Sequence, residues 1–123
     1  FVDTHFHPTR LVDISFTGLP ERVAAGDTLR LSLRIENPYP YNIDLGGDMS
    51  LVMLWKHGRF RVEEFDTGER FRIPAEEEIR REVVFVVPRL LAGTDFDAGF
   101  ALRREGYTNW FNGKSVPTEV GNL

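Results

Sequence analysis

The chain contains no cysteine, which removes thiol nucleophiles, thiolate metal sites and disulfide staples from consideration and leaves the compartment open. It has no apolar run approaching the roughly 20 residues that a membrane-spanning helix needs. It also lacks the charge, apolar stretch and small-residue cleavage site of a signal peptide. Helix-period hydrophobicity is nearly absent, and there is no internal repeat or low-complexity segment. A basic block is missing too: acidic and basic residues interleave, with a net charge of -4 and a pI near 5.4. Without a continuous basic face for phosphate backbones, nucleic acid is not an expected partner. The chain opens on Phe1 rather than Met, which reads as an excised domain whose parent keeps any signal or anchor.

What is present is an ordinary globular composition over 123 residues, 41% hydrophobic and 28% charged, which predicts one core. Ten Phe, two Trp and three Tyr supply enough large apolar side chains for that core without a metal or cofactor, and none is expected. The expected division is an N-terminal tail or edge strand over residues 1–10, followed by one β-sandwich domain over 11–123.

The dominant pattern has period two. Val12, Ile14 and Phe16 alternate with Asp13, Ser15 and Thr17, and Leu29, Leu31, Leu33 and Ile35 alternate with Arg30, Ser32, Arg34 and Glu36. Turn residues at Gly18-Leu19-Pro20 and Ala25-Gly26-Asp27 separate the two strands, and Glu21 to Ala25 has room for one helical turn at most. Asn37-Pro38-Tyr39-Pro40-Tyr41 must leave the sheet, because two prolines lack the N–H donors of a ladder. Ser50 to Lys56 is apolar at nearly every position and predicts a strand covered on both faces. His57-Gly58 predicts a tight hairpin into a strand over Arg59 to Phe65. Arg70 to Pro74 predicts a short strand, Ala75 to Glu78 a charged turn, and Ile79 to Val87 a strand stopped by Pro88. Phe96, Ala98, Phe100 and Leu102 predict a one-sided strand, and Ser115 to Val120 a last edge strand interrupted by Pro117. About seven or eight short strands with turn signals every ~8–12 residues predict an all-β, antiparallel two-sheet sandwich, immunoglobulin-like in architecture.

Residues with chemical potential fall into few groups. Val2-Asp3-Thr4-His5-Phe6-His7-Pro8 resembles the first-strand metal motif of amidohydrolase-type barrels, with His5 and His7 on one face of a strand. That fold needs roughly 200 residues or more and further ligands on later strands. Here the remaining His is His57, beside a hairpin glycine. Ser15, Ser32, Ser50 and Ser115 lack a nucleophile-elbow frame. Gly46-Gly47 is not a phosphate loop, since no Lys-Ser or Lys-Thr follows. Glu63, Glu64, Asp66 and Glu69 sit among Arg59, Arg61 and Arg70, a pattern of cross-strand pairs rather than of catalytic carboxylates. No reaction is indicated, and the chain reads as a non-enzyme.

The remaining signal is aromatic and amide. Sugar rings pack their C–H faces on Trp and Tyr while their hydroxyls pair with Asn, Asp, Arg and Lys. Tyr107, Asn109, Trp110, Asn112 and Lys114 supply both kinds of group near the C-terminus. Tyr39 and Tyr41, with Asn42, form a second cluster. Within the first, Trp110 and Phe111 also suit a core plug, and Asn112-Gly113 is a turn signal.

Ala25-Gly26-Asp27-Thr28-Leu29, Ile73-Pro74-Ala75-Glu76 before a strand, Pro88 and Gly93 before Phe96, and Glu105-Gly106 before Trp110-Phe111 resemble bacterial immunoglobulin-like domains of polysaccharide-handling proteins. The nearest group is the C-terminal carbohydrate-binding domain of O-antigen ABC transporters, over residues 11–120. The chain departs from it at Asn37 to Gly47. There the Asn37-Pro38 step followed by Ile43 to Leu45 resembles sandwich domains of the late-embryogenesis type. The transporter resemblance implies a non-catalytic glycan-binding module, attached to or working beside an ATPase or glycosyltransferase of surface-polysaccharide assembly and transport. It also implies a cytoplasmic location, membrane-associated through the parent protein. The alternative is a protein–protein interaction or assembly module without a glycan ligand, and a homodimer is open under either reading.

Overall fold

The computed structural model describes residues 11–104 and 110–122. Its first sheet contains β1 (Asp13–Thr17), β3 (Thr28–Glu36) and β8 (Glu78–Val86), all antiparallel in the order β1-β3-β8. The second contains β2 (Arg22–Ala24), β5 (Ser50–His57), β6 (Arg61–Asp66), β9 (Thr94–Arg103) and β10 (Val116–Gly121), in the order β2-β10-β9-β5-β6. Its pairings are antiparallel except β2 with β10. A third pair joins β4 (Ile43–Asp44) to β7 (Arg72–Ile73), and a 3-10 turn at Arg89–Leu91 links β8 to β9. The chain is therefore all-β, an antiparallel sandwich.

The period-two strands bury the faces that their alternation predicts. On β3, Leu29, Leu31, Leu33 and Ile35 are buried and the residues between them are not. These side chains meet Met53 and Trp55 of β5 and Phe96, Phe100 and Leu102 of β9 in the main core. Contacts between the sheets are specific: Trp55 stacks on Phe85 of β8 at 6.1 Å between ring centroids, and Phe16 of β1 meets Phe100 edge-on at 5.1 Å. Such aromatic pairs contribute about 0.5–1.5 kcal/mol beyond their burial.

Strand β5 is covered on both faces, as its continuous apolar run predicts. Strand β9 is too over residues 98–102, which corrects the one-sided expectation there, while Asp95 and Asp97 keep the exposed face that the alternation predicts. Val52, Leu54 and Ala101 form a second buried cluster on the outer face of the large sheet, with Val62 and Phe111 packed over it. Arg22 to Ala24 is a strand, not a helical turn, because Glu119 to Gly121 offer it a parallel partner. That pairing also places β10 inside the sheet rather than at its edge. Pro117 is tolerated because β2 pairs only with Glu119, Val120 and Gly121, beyond the missing donor. Strand β6 begins at Arg61, later than expected, leaving Phe60 exposed in the turn.

Candidate functional site

The site lies where the two prolines take the chain out of the first sheet. Asn37, only 2% exposed, is the clamp. Its Oδ1 accepts from Tyr39 N at 3.0 Å, an Asx turn, and its Nδ2 donates to Tyr41 O at 2.9 Å and Pro74 O at 3.2 Å. The following loop is tied to the same neighbour: Glu76 N donates to Tyr39 O at 3.0 Å, and Ala75 N to Asn42 Oδ1 at 2.8 Å. Tyr39 packs partly into the core, and its hydroxyl accepts from Leu11 N at 3.4 Å. Tyr41 stacks on it at 5.2 Å between centroids and 16° between planes, and remains 43% exposed. A buried amide thus presents a rigid pair of rings.

Tyr41 lines a cleft of about 440 Å³ with Asn42, Asp44, Asp48, Met49 and Arg104. Strand β9 delivers Arg104 there, since its end lies beside the start of β5 through the Ser50–Arg103 pair. Gly47 also lines it, and the turn before it is tight: Gly46 has φ of 105°, and a Cβ there would fall 2.5 Å from Arg70 Cγ. Asp44 is held by Arg72 at 2.8 Å. Partial burial and the neighbouring Tyr39 push the Tyr41 hydroxyl above its usual range, against an opposing pull from Arg104. Tyr41 is therefore a neutral hydroxyl donor beside a guanidinium, two carboxylates and an amide, a set suited to hydroxyl-rich ligands.

The C-terminal cluster is divided differently from the sequence expectation. Asn112 is 1% exposed, and its amide is used by the fold. Its Oδ1 accepts from Leu102 N at 2.8 Å and its Nδ2 donates to Val12 O at 3.0 Å. Its role as a ligand-binding residue is corrected to that of a bridge between sheets, because a buried amide satisfied this way has no accessible face. Phe111 lies over Gly99, and Lys56 Nζ sits 5.0 Å from its ring centroid. Trp110 is partly buried and Lys114 exposed. Tyr107 and Asn109, like His5 and His7, lie outside the described residues. Of the expected site residues, Tyr39 and Tyr41 are brought together. Asp44, Asp48 and Arg104 were missed; the spacing of two Asp around a Gly-Gly turn is a weak signal, and Arg104 carried none.

A second depression of about 480 Å³ is lined by Arg22, Lys56, His57, Asp95, Asp97 and Glu119. Its polar groups face one another across the strands: Arg22 lies 3.4 Å from Glu119, His57 Nδ1 lies 2.8 Å from the carbonyl of Asp95, and Lys56 is the cross-strand partner of Asp97. The carboxylates of β6 are similarly engaged, Glu63 with Arg61 at 3.0 Å and Glu64 with Arg103 at 2.7 Å. The first group forms a solvated charged face, whereas the Arg103–Glu64 pair of the second is largely covered.

No protein-family model matches the chain, and no curated protein matches it. Among solved structures it is similar to the alkylpurine DNA glycosylase AlkC of Pseudomonas fluorescens bound to DNA containing an abasic site analog. That match has a TM-score of 0.52 and 15% identity, over 89% of this chain and 30% of that one. It is also similar to the beta-glucosidase of Listeria innocua in complex with isofagomine, with a TM-score of 0.51 and 13% identity, over 89% of this chain and 16% of that one. The likeness covers most of this chain and a minor part of each neighbour, and at these identities it is one of fold.

Proposed function

We propose that the chain is a non-catalytic binding module of immunoglobulin-like strand order that holds a glycan, of the bacterial surface-polysaccharide class, in the Tyr41 cleft. The observation that carries this reading is the Tyr39–Tyr41 stack opening on Asn42, Asp44, Asp48 and Arg104. An aromatic shelf takes the apolar face of a sugar while the surrounding groups take its hydroxyls. The strand order β1-β3-β8 facing β2-β10-β9-β5-β6, with a buried Trp on β5, supports the immunoglobulin-like part of the reading. The resemblance to transporter-linked carbohydrate-binding domains supports the ligand class and a parent protein at the cytoplasmic membrane. The test is a glycan-array screen of the domain with bacterial polysaccharides and plant glycans, followed by calorimetric titration of each hit against wild type and Tyr41→Ala. Saturable binding that Tyr41→Ala weakens at least about tenfold is expected. Silence across the array, or binding that Tyr41→Ala leaves intact, overturns the assignment.

A further inference from the structure

The exposed ends of the sheets differ in a way the glycan reading does not use. Edge strands attract foreign strands unless they are short, charged or covered. Among the described residues, β2 has three residues, β6 carries Arg61, Glu63, Glu64 and Asp66, and β1 is covered where Asn112 accepts from Ile14 N at 2.7 Å. Strand β8 has none of these protections over its second half. It is nine residues long, ends its sheet, and runs into Val83-Val84-Phe85-Val86-Val87, an uncharged segment of strong β-formers.

Val87 directs both its N–H and its C=O toward the β3 side, donating to Asp27 O at 2.9 Å and accepting from Gly26 N at 2.8 Å. Antiparallel alternation then points the backbone groups of Glu82, Val84 and Val86 away from β3, toward a side with no neighbouring strand among the described residues. The side chains of Val84 and Val86, 50% and 56% exposed, stand on the outer face. The first half of the strand is flanked, since Arg81 lies 4.3 Å over the ring of Phe71. The open half is the apolar one.

We propose that this half pairs with the same half of a second copy, antiparallel, across a two-fold axis at Phe85. The segment Val83 to Val87 reads identically in both directions, so a two-fold axis at its centre sets Val84 against Val86 of the partner subunit and Val86 against Val84 of the partner subunit. Both residues direct their backbone groups outward, so each such pair exchanges two hydrogen bonds, and the exposed valines meet as cross-strand pairs. Pro88, with no N–H, ends the ladder. The two small sheets become one continuous six-stranded sheet with β1 at each outer edge.

The absence of native cysteine gives a clean test. Val84→Cys and Val86→Cys proteins are mixed and oxidised. Paired Cα atoms about 5.5 Å apart lie within disulfide range, so the mixture cross-links while each variant alone does not. Sedimentation velocity on the wild type is expected to show a twofold rise in mass with concentration. Val84→Lys with Val86→Lys is expected to stay monomeric with unchanged melting, because both side chains face solvent in the single chain. A wild type that remains monomeric at high concentration, a mixture no more cross-linked than its components, or a dimer that survives the two lysines overturns the proposal. Glycan binding is read separately on the lysine variant, which leaves the cleft residues untouched.

Discussion

Asn112, between β9 and β10, donates its side-chain amide to the carbonyl of Val12, just ahead of β1, at 3.0 Å. Its side-chain oxygen accepts from Leu102 N, and its backbone N–H donates to Phe100 O at 2.8 Å, so one residue closes the gap between β1 and β9. Asn112→Ala leaves a buried N–H and a buried C=O without partners and is expected to cost about 2–4 kcal/mol. Asn112→Asp keeps the acceptor but loses the donor and is expected to be destabilised as well. Urea unfolding measures both; a loss below about 0.5 kcal/mol for the alanine variant would show that solvent reaches these groups.

Gly99 and Phe111 are coupled by shape. A Cβ on Gly99 would lie 2.7 Å from Phe111 Cδ1, so Gly99→Ala must displace the ring that covers Val52, Leu54 and Ala101. The expected cost is about 1–3 kcal/mol. Repeated in a Phe111→Ala background, the same substitution should cost almost nothing, and a double-mutant cycle reads the difference directly. Additive effects would mean that Phe111 does not press on this strand.

Tyr41 and Asn37 separate binding from support. Tyr41 is exposed, and Tyr41→Ala is expected to weaken a glycan ligand at least about tenfold, roughly 1.4 kcal/mol, with little change in melting. Asn37 is buried and holds the loop through Tyr39 N, Tyr41 O and Pro74 O, so Asn37→Ala should lower stability and affinity together. Equal thermal destabilisation by the two substitutions would place Tyr41 in the framework instead.

Arg34 grips Glu78 at 2.6 Å across β3 and β8, and this hydrogen bond, helped by the charges of Arg34 and Arg80, holds the Glu78 carboxyl below its usual value of 4.5 against the opposing effect of desolvation. The same contact raises Arg34. A carboxylate depressed in the folded state contributes stability that is full above its unfolded pKa and is lost as pH falls through the folded one. Melting temperature should therefore fall below about pH 4.5, and Glu78→Gln should fall less steeply over the same acid range. An unchanged acid slope in that variant would assign the loss to other carboxylates.

Much of the architecture was legible because period-two patterning reports a face, and a face is what a sheet buries. Strands β3 and β5 show this, one alternating and one continuously apolar, with burial to match. Pairings that depend on a distant partner were not legible. Arg22 to Ala24 is a strand only because β10 arrives beside it. The second covered face of β9 depends on Phe111 folding back over it. At the site, the aromatic pair Tyr39–Tyr41 was readable from composition, whereas Arg104 joins it only through the register of β9 with β5.

By itself the sequence determined an all-β sandwich without disulfides and a break at Asn37 to Tyr41, because alternation, proline and glycine act through local geometry. Only the tertiary structure decided that Asn112 is a bridge rather than a ligand contact, that Tyr41 shares a cleft with Arg104, and which edge of which sheet is left open. Those depend on burial and on contacts between residues far apart in the chain, and a residue type does not disclose which of its polar atoms the fold will already have used.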